Sequence, residues 1–200
     1  MNLLRRHLMN PDYLQRKRDE AIRVAHRWLA DGLLIFDTET TGTKNNSEIV
    51  EIAVIDDSNR ELLNTLVKPM YDIPNGATRI HGIDHRMVID APIWPNVYES
   101  LCELVNSQLL VAYNLEFDVR MVHQSSALHN FIPKVKVRGG CAMKLFAQFY
   151  GEWNHRHNNF RWSKLSDAAR ICGVDVRNTH RALGDCKMTL GVIRHIASHA

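Results

Sequence analysis

Apolar and polar positions alternate along this chain in two different rhythms. In residues 11–30, Leu14, Ile22, Ala25 and Leu29 fall roughly on one helical stripe. Pro11 suits a first helical turn, and Asp31-Gly32 is a turn signal where the stripe ends. Three short apolar runs follow, at 33–36, 49–55 and 62–67, separated by polar turns at 43–47 and 56–60. These predict three strands in an antiparallel meander. Pro69, Pro74 and Gly76 break the pattern. Beyond Pro92 and Pro95, residues 97–105 read as a helix and 109–113 as a short strand. Phe117, Met121 and Val122 then open a second helix at i, i+4, i+5 spacing. Residues 133–164 read as a basic, aromatic, loop-like stretch with one short helix near 142–149. Residues 165–172 and 181–196 close the chain as helices, with Gly173 as a stop for the first. A run of strands followed by helix–strand alternation predicts an α/β fold, a mixed sheet flanked by helices. Residues 31–200 form the expected domain, and 1–30 a basic helical extension.

Composition fits that picture. Hydrophobic residues make up 45% and charged residues 24%, enough for an ordinary core. The first twenty residues lack the apolar stretch of a signal peptide, and no run approaches the length of a membrane span. A cytoplasmic protein without membrane contact is expected. Cys102, Cys141, Cys172 and Cys186 are scattered with no CxxC pair, which predicts reduced thiols. Charge is unevenly spread. Residues 1–30 carry a net +4, 31–133 carry −9, 134–164 carry +6 and 165–200 carry +2. An acidic stretch beside basic ones suits a site that gathers cations yet holds a polyanion. Solvated surfaces give the same distribution.

The chemistry concentrates at strand ends. In LLIFDTETTG (33–42), an apolar run meets Asp37 and, two residues on, Glu39. In a strand, i and i+2 project from one face. Two carboxylates held together resist ionising side by side, and a hard divalent cation between them relieves the conflict. A solvated strand-to-turn junction is the plainer reading. YNLEFDVRMV (113–122) adds Asn114 and Asp118 at a strand-to-helix corner, where an Asp also serves as an ordinary helix-start charge. HRALGDC (180–186) adds His180 and Asp185, with Thr179 placed to cap the helix that follows. A histidine beside a carboxylate-held metal is a natural general base, since its pKa lies near neutrality.

Together the three segments resemble the DnaQ-like exonucleases of the DEDDh type, in the ribonuclease H-like superfamily. FDTETTG matches the first motif, YNLEFD the second and HRALGD the third, in order and spacing over residues 33–197. ATRIHGI (77–83) resembles a fourth segment. The resemblance implies a ribonuclease H-like sheet, with Asp37, Glu39, Asp118 and Asp185 as metal ligands and His180 as general base. It implies two Mg²⁺ ions, replaceable by Mn²⁺. Water would attack the terminal phosphodiester in line and release nucleoside 5′-monophosphates from a 3′ end. Thr41, Gly42, Ile80, His81 and Asn114 fall at substrate-contact positions, although Ile80 also reads as a core residue. Tyr113 departs from the His often found there, and Cys141-Ala142 stands where Asp-Thr is common.

The expected partner is nucleic acid with a free 3′ end, DNA favoured over RNA, with a DNA polymerase as a further partner if the chain is a proofreading subunit. Other classes remain: a non-catalytic nucleic-acid-binding module on the same fold, and an unrelated zinc-type hydrolase. The intact acids weigh against the first, and all-carboxylate ligands against the second. KVKVR (134–138) and WNHRHNNFRWSK (153–164) interleave basic and aromatic residues. Trp153, Phe160 or Trp162 either stacks on bases or anchors a loop. His155 and His157 read as solvated.

Overall fold

The structure, a computed structural model, describes residues 10–105, 108–133, 138–175 and 180–199. Its first helix, α1 (Pro11–Ala30), begins as the sequence dictates. The Asn10 side chain accepts from the Asp12 N–H at 2.9 Å, and Pro11 occupies the first turn, where its missing N–H costs nothing. Strands β1 (Leu33–Thr40), β2 (Ile49–Asp56) and β3 (Glu61–Leu66) form the expected antiparallel meander. Short helices α2 (Asn75–His81) and α3 (His85–Val88) follow, then α4 (Trp94–Leu104), β4 (Leu109–Ala112) and α5 (Leu115–Leu128). Strand β5 (Arg138–Cys141) leads into α6 (Ala142–Tyr150). A hairpin of β6 (Trp153–Asn154) and β7 (Asn159–Phe160) precedes α7 (Leu165–Ile171) and α8 (Ala182–Ala197).

The main sheet has the order β3-β2-β1-β4-β5, with β4 and β5 parallel to β1. Its inner strands β1, β2 and β4 bury both faces, so side-chain alternation decides which helix each residue meets. Leu33, Ile35, Ala53, Ile55 and Val111 pack with residues of α1, α6 and α8. Leu34, Phe36, Ile52, Val54 and Leu110 pack with α4 and α5. Each fully buried Ile or Phe stabilises by about 1.5–3 kcal/mol. Helix α1 belongs to this core: Ala21, Ile22 and Ala25 are buried in it. Arg18 lies over the Phe149 ring at 4.1 Å and donates to the Phe149 carbonyl at 3.2 Å.

Strand β5 is the main departure from the periodicity reading, which left 138–141 in a loop. Its sequence, RGGC, has no apolar run, but Gly140 makes the strand fit. A Cβ there would lie 2.7 Å from the Trp28 ring, so glycine admits α1 against the edge of the sheet. Helices α2 and α3 also escaped the periodicity reading, because they are short and broken by Gly82 in the left-handed conformation. Cys172 and Cys186 are buried and all four cysteines are free thiols. No helix among the described residues is long and apolar enough to cross a membrane. Residues 134–137 and Thr179, to which the sequence assigned a basic segment and a helix cap, lie outside the described residues.

Candidate active site

Alternation along β1 builds the site. Asp37 and Glu39 continue the face of Leu33 and Ile35, which looks toward α8. Asp185, in the first turn of α8, meets them there. One carboxylate oxygen from each of Asp37, Glu39 and Asp185 lies within 4.8 Å of the others. Thr38 falls on the opposite face, toward α5. Its backbone N–H and its hydroxyl both donate to Asp118 Oδ1, at 3.1 and 2.8 Å. Those two bonds hold Asp118, itself buried, against the end of β1. Thr38 drew no attention in the sequence; an interior hydroxyl between two acids was the available signal.

The electrostatics follow from the packing. Burial raises Asp37 well above the usual carboxylate range, and Asp118, Asp185 and Glu39 add to it. Glu39 is pushed up to about 8 by burial, then by Asp185 and Glu51. Asp118 rises to about 7, with burial outweighing the Thr38 hydrogen bonds. Asp185 rises to about 6 by burial, opposed by the His180 backbone N–H, which donates to its Oδ1 at 3.2 Å. Four acids that resist ionisation so close together have too little positive charge around them among the described residues. Their hard oxygen donors fit a divalent cation such as Mg²⁺ or Mn²⁺. The exposed His155 and His157 form no such cluster; among the described residues the carboxylate group is the one found.

His180 is exposed, with φ of 61°, immediately before α8. It lines a cleft of about 600 Å³ together with Asp185, Tyr113 and Asn114. Asn114 stands at the start of α5, exposed, with no capping bond from its side chain. Around the other flank, Thr41 is engaged with Glu48: its N–H donates to the Glu48 carbonyl at 2.8 Å and its Oγ1 accepts the Glu48 N–H at 2.9 Å. Gly42 turns the chain at φ of 152°, a conformation open to glycine. Ile80 is 60% exposed, which corrects the core reading of that residue. It sits on α2 too far out to pack inward. Its neighbour His81 is buried, and its Nδ1 accepts the Ile83 N–H at 3.0 Å. The other ring nitrogen, Nε2, is buried and makes no well-formed hydrogen bond among the described residues, with the Thr40 backbone beside the ring.

One further residue was missed. Glu51 of β2 pairs in register with Glu39 and is buried. It accepts from Arg181 Nε at 3.0 Å and from the Ala182 N–H at 2.9 Å. A strand side chain thus caps α8. A glutamate inside the apolar run IVEIAVID was the sequence signal for it.

The chain is similar to known proteins in both sequence and fold. The sequence profile of the exonuclease family matches residues 34–193. The chain belongs to this exonuclease family. It is 42% identical over 179 residues to the uncharacterized exonuclease CP81 of Escherichia phage 186, covering 86% of this chain and 92% of that protein. It is 28% identical over 120 residues to the DNA polymerase III epsilon subunit of Buchnera aphidicola, covering 55% of this chain and only half of that protein. Among solved structures, exonuclease X in complex with 5′-overhanging duplex DNA superposes with a TM-score of 0.62 at 28% identity, over 84% of this chain and 92% of that one. The exonuclease is therefore DnaQ-like, with the ribonuclease H-like sheet that its three motifs implied.

Proposed function

We propose that this exonuclease removes nucleotides singly from 3′ ends of DNA, with Asp37, Glu39, Asp118 and Asp185 holding two divalent ions and His180 acting as general base. The observation that carries this reading is the meeting of Asp37, Glu39 and Asp185 oxygens within 4.8 Å, with His180 joined to Asp185 by its backbone. Bound divalent ions supply Lewis acidity toward the phosphodiester and offset the charge of the four acids. His180 accepts the proton of the attacking water from its place on the cleft wall. Thr38 fixes the Asp118 carboxylate, so that its free oxygen keeps one direction. His81 supports the wall beside the terminal nucleotide, and Ile80 next to it offers an exposed apolar face. Thr41, Gly42 and Asn114 border the same nucleotide. DNA is favoured over RNA on the likeness to the DNA-bound exonuclease X. We take α1 as a buttress of the domain, on its buried contacts, and the chain as a cytoplasmic protein.

The test is product identity. Digestion of a defined oligonucleotide with Mg²⁺ should release nucleoside 5′-monophosphates, and EDTA should stop it. Release of 3′-monophosphates would place the broken bond on the other side of phosphorus and refute the assignment. The epsilon likeness favours a second reading, a proofreading subunit. Co-elution with a DNA polymerase would support it.

A further inference from the structure

The aromatic residues of segment 153–162 divide into two groups. Trp153 is an anchor: its ring meets Tyr13 of α1 edge-on at 6.3 Å and Phe160 edge-on at 5.2 Å. These contacts tie the β6–β7 hairpin to the body of the domain. Trp162 makes no ring contact among the described residues and is 54% exposed. An indole left this open forgoes most of the burial that usually places tryptophan. It lines the same cleft of about 600 Å³ as Asn114, Lys164, His180 and Asp185. The backbone beside it is fixed, because the Tyr113 hydroxyl donates to the Ser163 carbonyl at 2.8 Å. Tyr113 is itself buried at the end of β4, so the loop carrying Trp162 and Lys164 is pinned to the main sheet. The segment 134–164 also carries the chain's largest local excess of positive charge, a net +6.

We propose that Trp162 is a stacking platform for the nucleobase on the 5′ side of the scissile phosphate, with Lys164 facing the strand's phosphates. The inference rests on the proposed function and deepens it. An unpaired base turns its face to an indole at less cost than a paired one, so the cleft favours a single-stranded 3′ end at least two nucleotides deep. Tyr113 is then a positioning residue that acts through Ser163.

Two measurements test this. Titrating octathymidylate into the protein in EDTA should quench tryptophan emission, and Trp162→Phe should remove most of the quench while still binding. The second compares kcat/KM on octathymidylate with kcat/KM on thymidine 5′-monophosphate p-nitrophenyl ester, which has no second base. Trp162→Ala should lower that ratio about 5- to 150-fold, the worth of one stacked base. Trp162→Phe should keep most of it. An unchanged quench in Trp162→Phe, or an unchanged ratio in Trp162→Ala, would overturn the platform. Failure of the wild type to hydrolyse either substrate would instead overturn the proposed function.

Discussion

The Glu51 carboxylate, on the middle of the sheet, holds both the Arg181 guanidinium and the Ala182 N–H at the head of α8. The two ends differ in burial: the Glu51 side chain is 4% exposed and that of Arg181 is 45%. The buried end makes the contact costly to break, and the exposed end reduces the cost. His180 and Asp185 sit on either side of this joint. Glu51→Gln should therefore lower stability by about 1–3 kcal/mol, a Tm drop of roughly 2–12 °C. It should also lower kcat more than it raises KM. A lower Tm with unaltered kcat would make the pair a structural joint alone.

His180 has a positive φ, which asparagine tolerates far better than alanine does. His180→Asn thus removes the base with little backbone strain. Its kcat should fall ~10²–10⁴-fold while oligonucleotide affinity in EDTA stays near wild type. A wild-type rate would remove His180 from the role.

Asp37→Asn and Asp185→Asn take one charge out of a mutually repelling cluster. Both should lose at least ~100-fold in turnover and lose most of the Tm gain given by Mn²⁺. Without metal, at pH 8, neither should melt below the wild type. A variant that keeps its turnover would contradict the ligand assignment.

The raised carboxylates also set a pH trend for the metal-free protein. Folded Glu39 and Asp118 bind protons up to about 8 and about 7, where the unfolded chain, at 4.5 and 3.8, has released them. Stability from these groups is complete below the unfolded values and is lost as pH rises through the folded ones. Burial of His81 and His195 works the other way, but mainly below their ordinary value of 6.5. Differential scanning calorimetry in EDTA should show Tm falling between about pH 6.5 and 8.5, and the gain from added Mg²⁺ growing over the same range. A metal-free Tm that rises across this window would contradict the arrangement.

Much of this was legible in the sequence, because the signals were local. The i, i+2 spacing of Asp37 and Glu39 places both on one face of a strand, and the structure puts that face toward α8. The helical stripe from Leu14 to Leu29 marked α1 correctly, and the apolar runs marked β1, β2 and β3 within a few residues. What escaped depended on contacts between distant segments. Strand β5 pairs with β4, and Gly140 lets Trp28 close on it, a fit that no periodicity records. Glu51 gains its partner 130 residues away in Arg181. Trp153 and Trp162 look alike in the sequence, yet Tyr13, from the far end of the chain, covers only the first.

The most direct test of the central claim is a ladder. A 5′-labelled single strand of DNA is incubated with the protein in Mg²⁺, in Mn²⁺ and in EDTA, beside the Asp185→Asn variant. The account predicts stepwise shortening from the 3′ end with either metal, and intact strands in EDTA and with the variant. Equal shortening in EDTA, or cuts scattered through the strand, would contradict it.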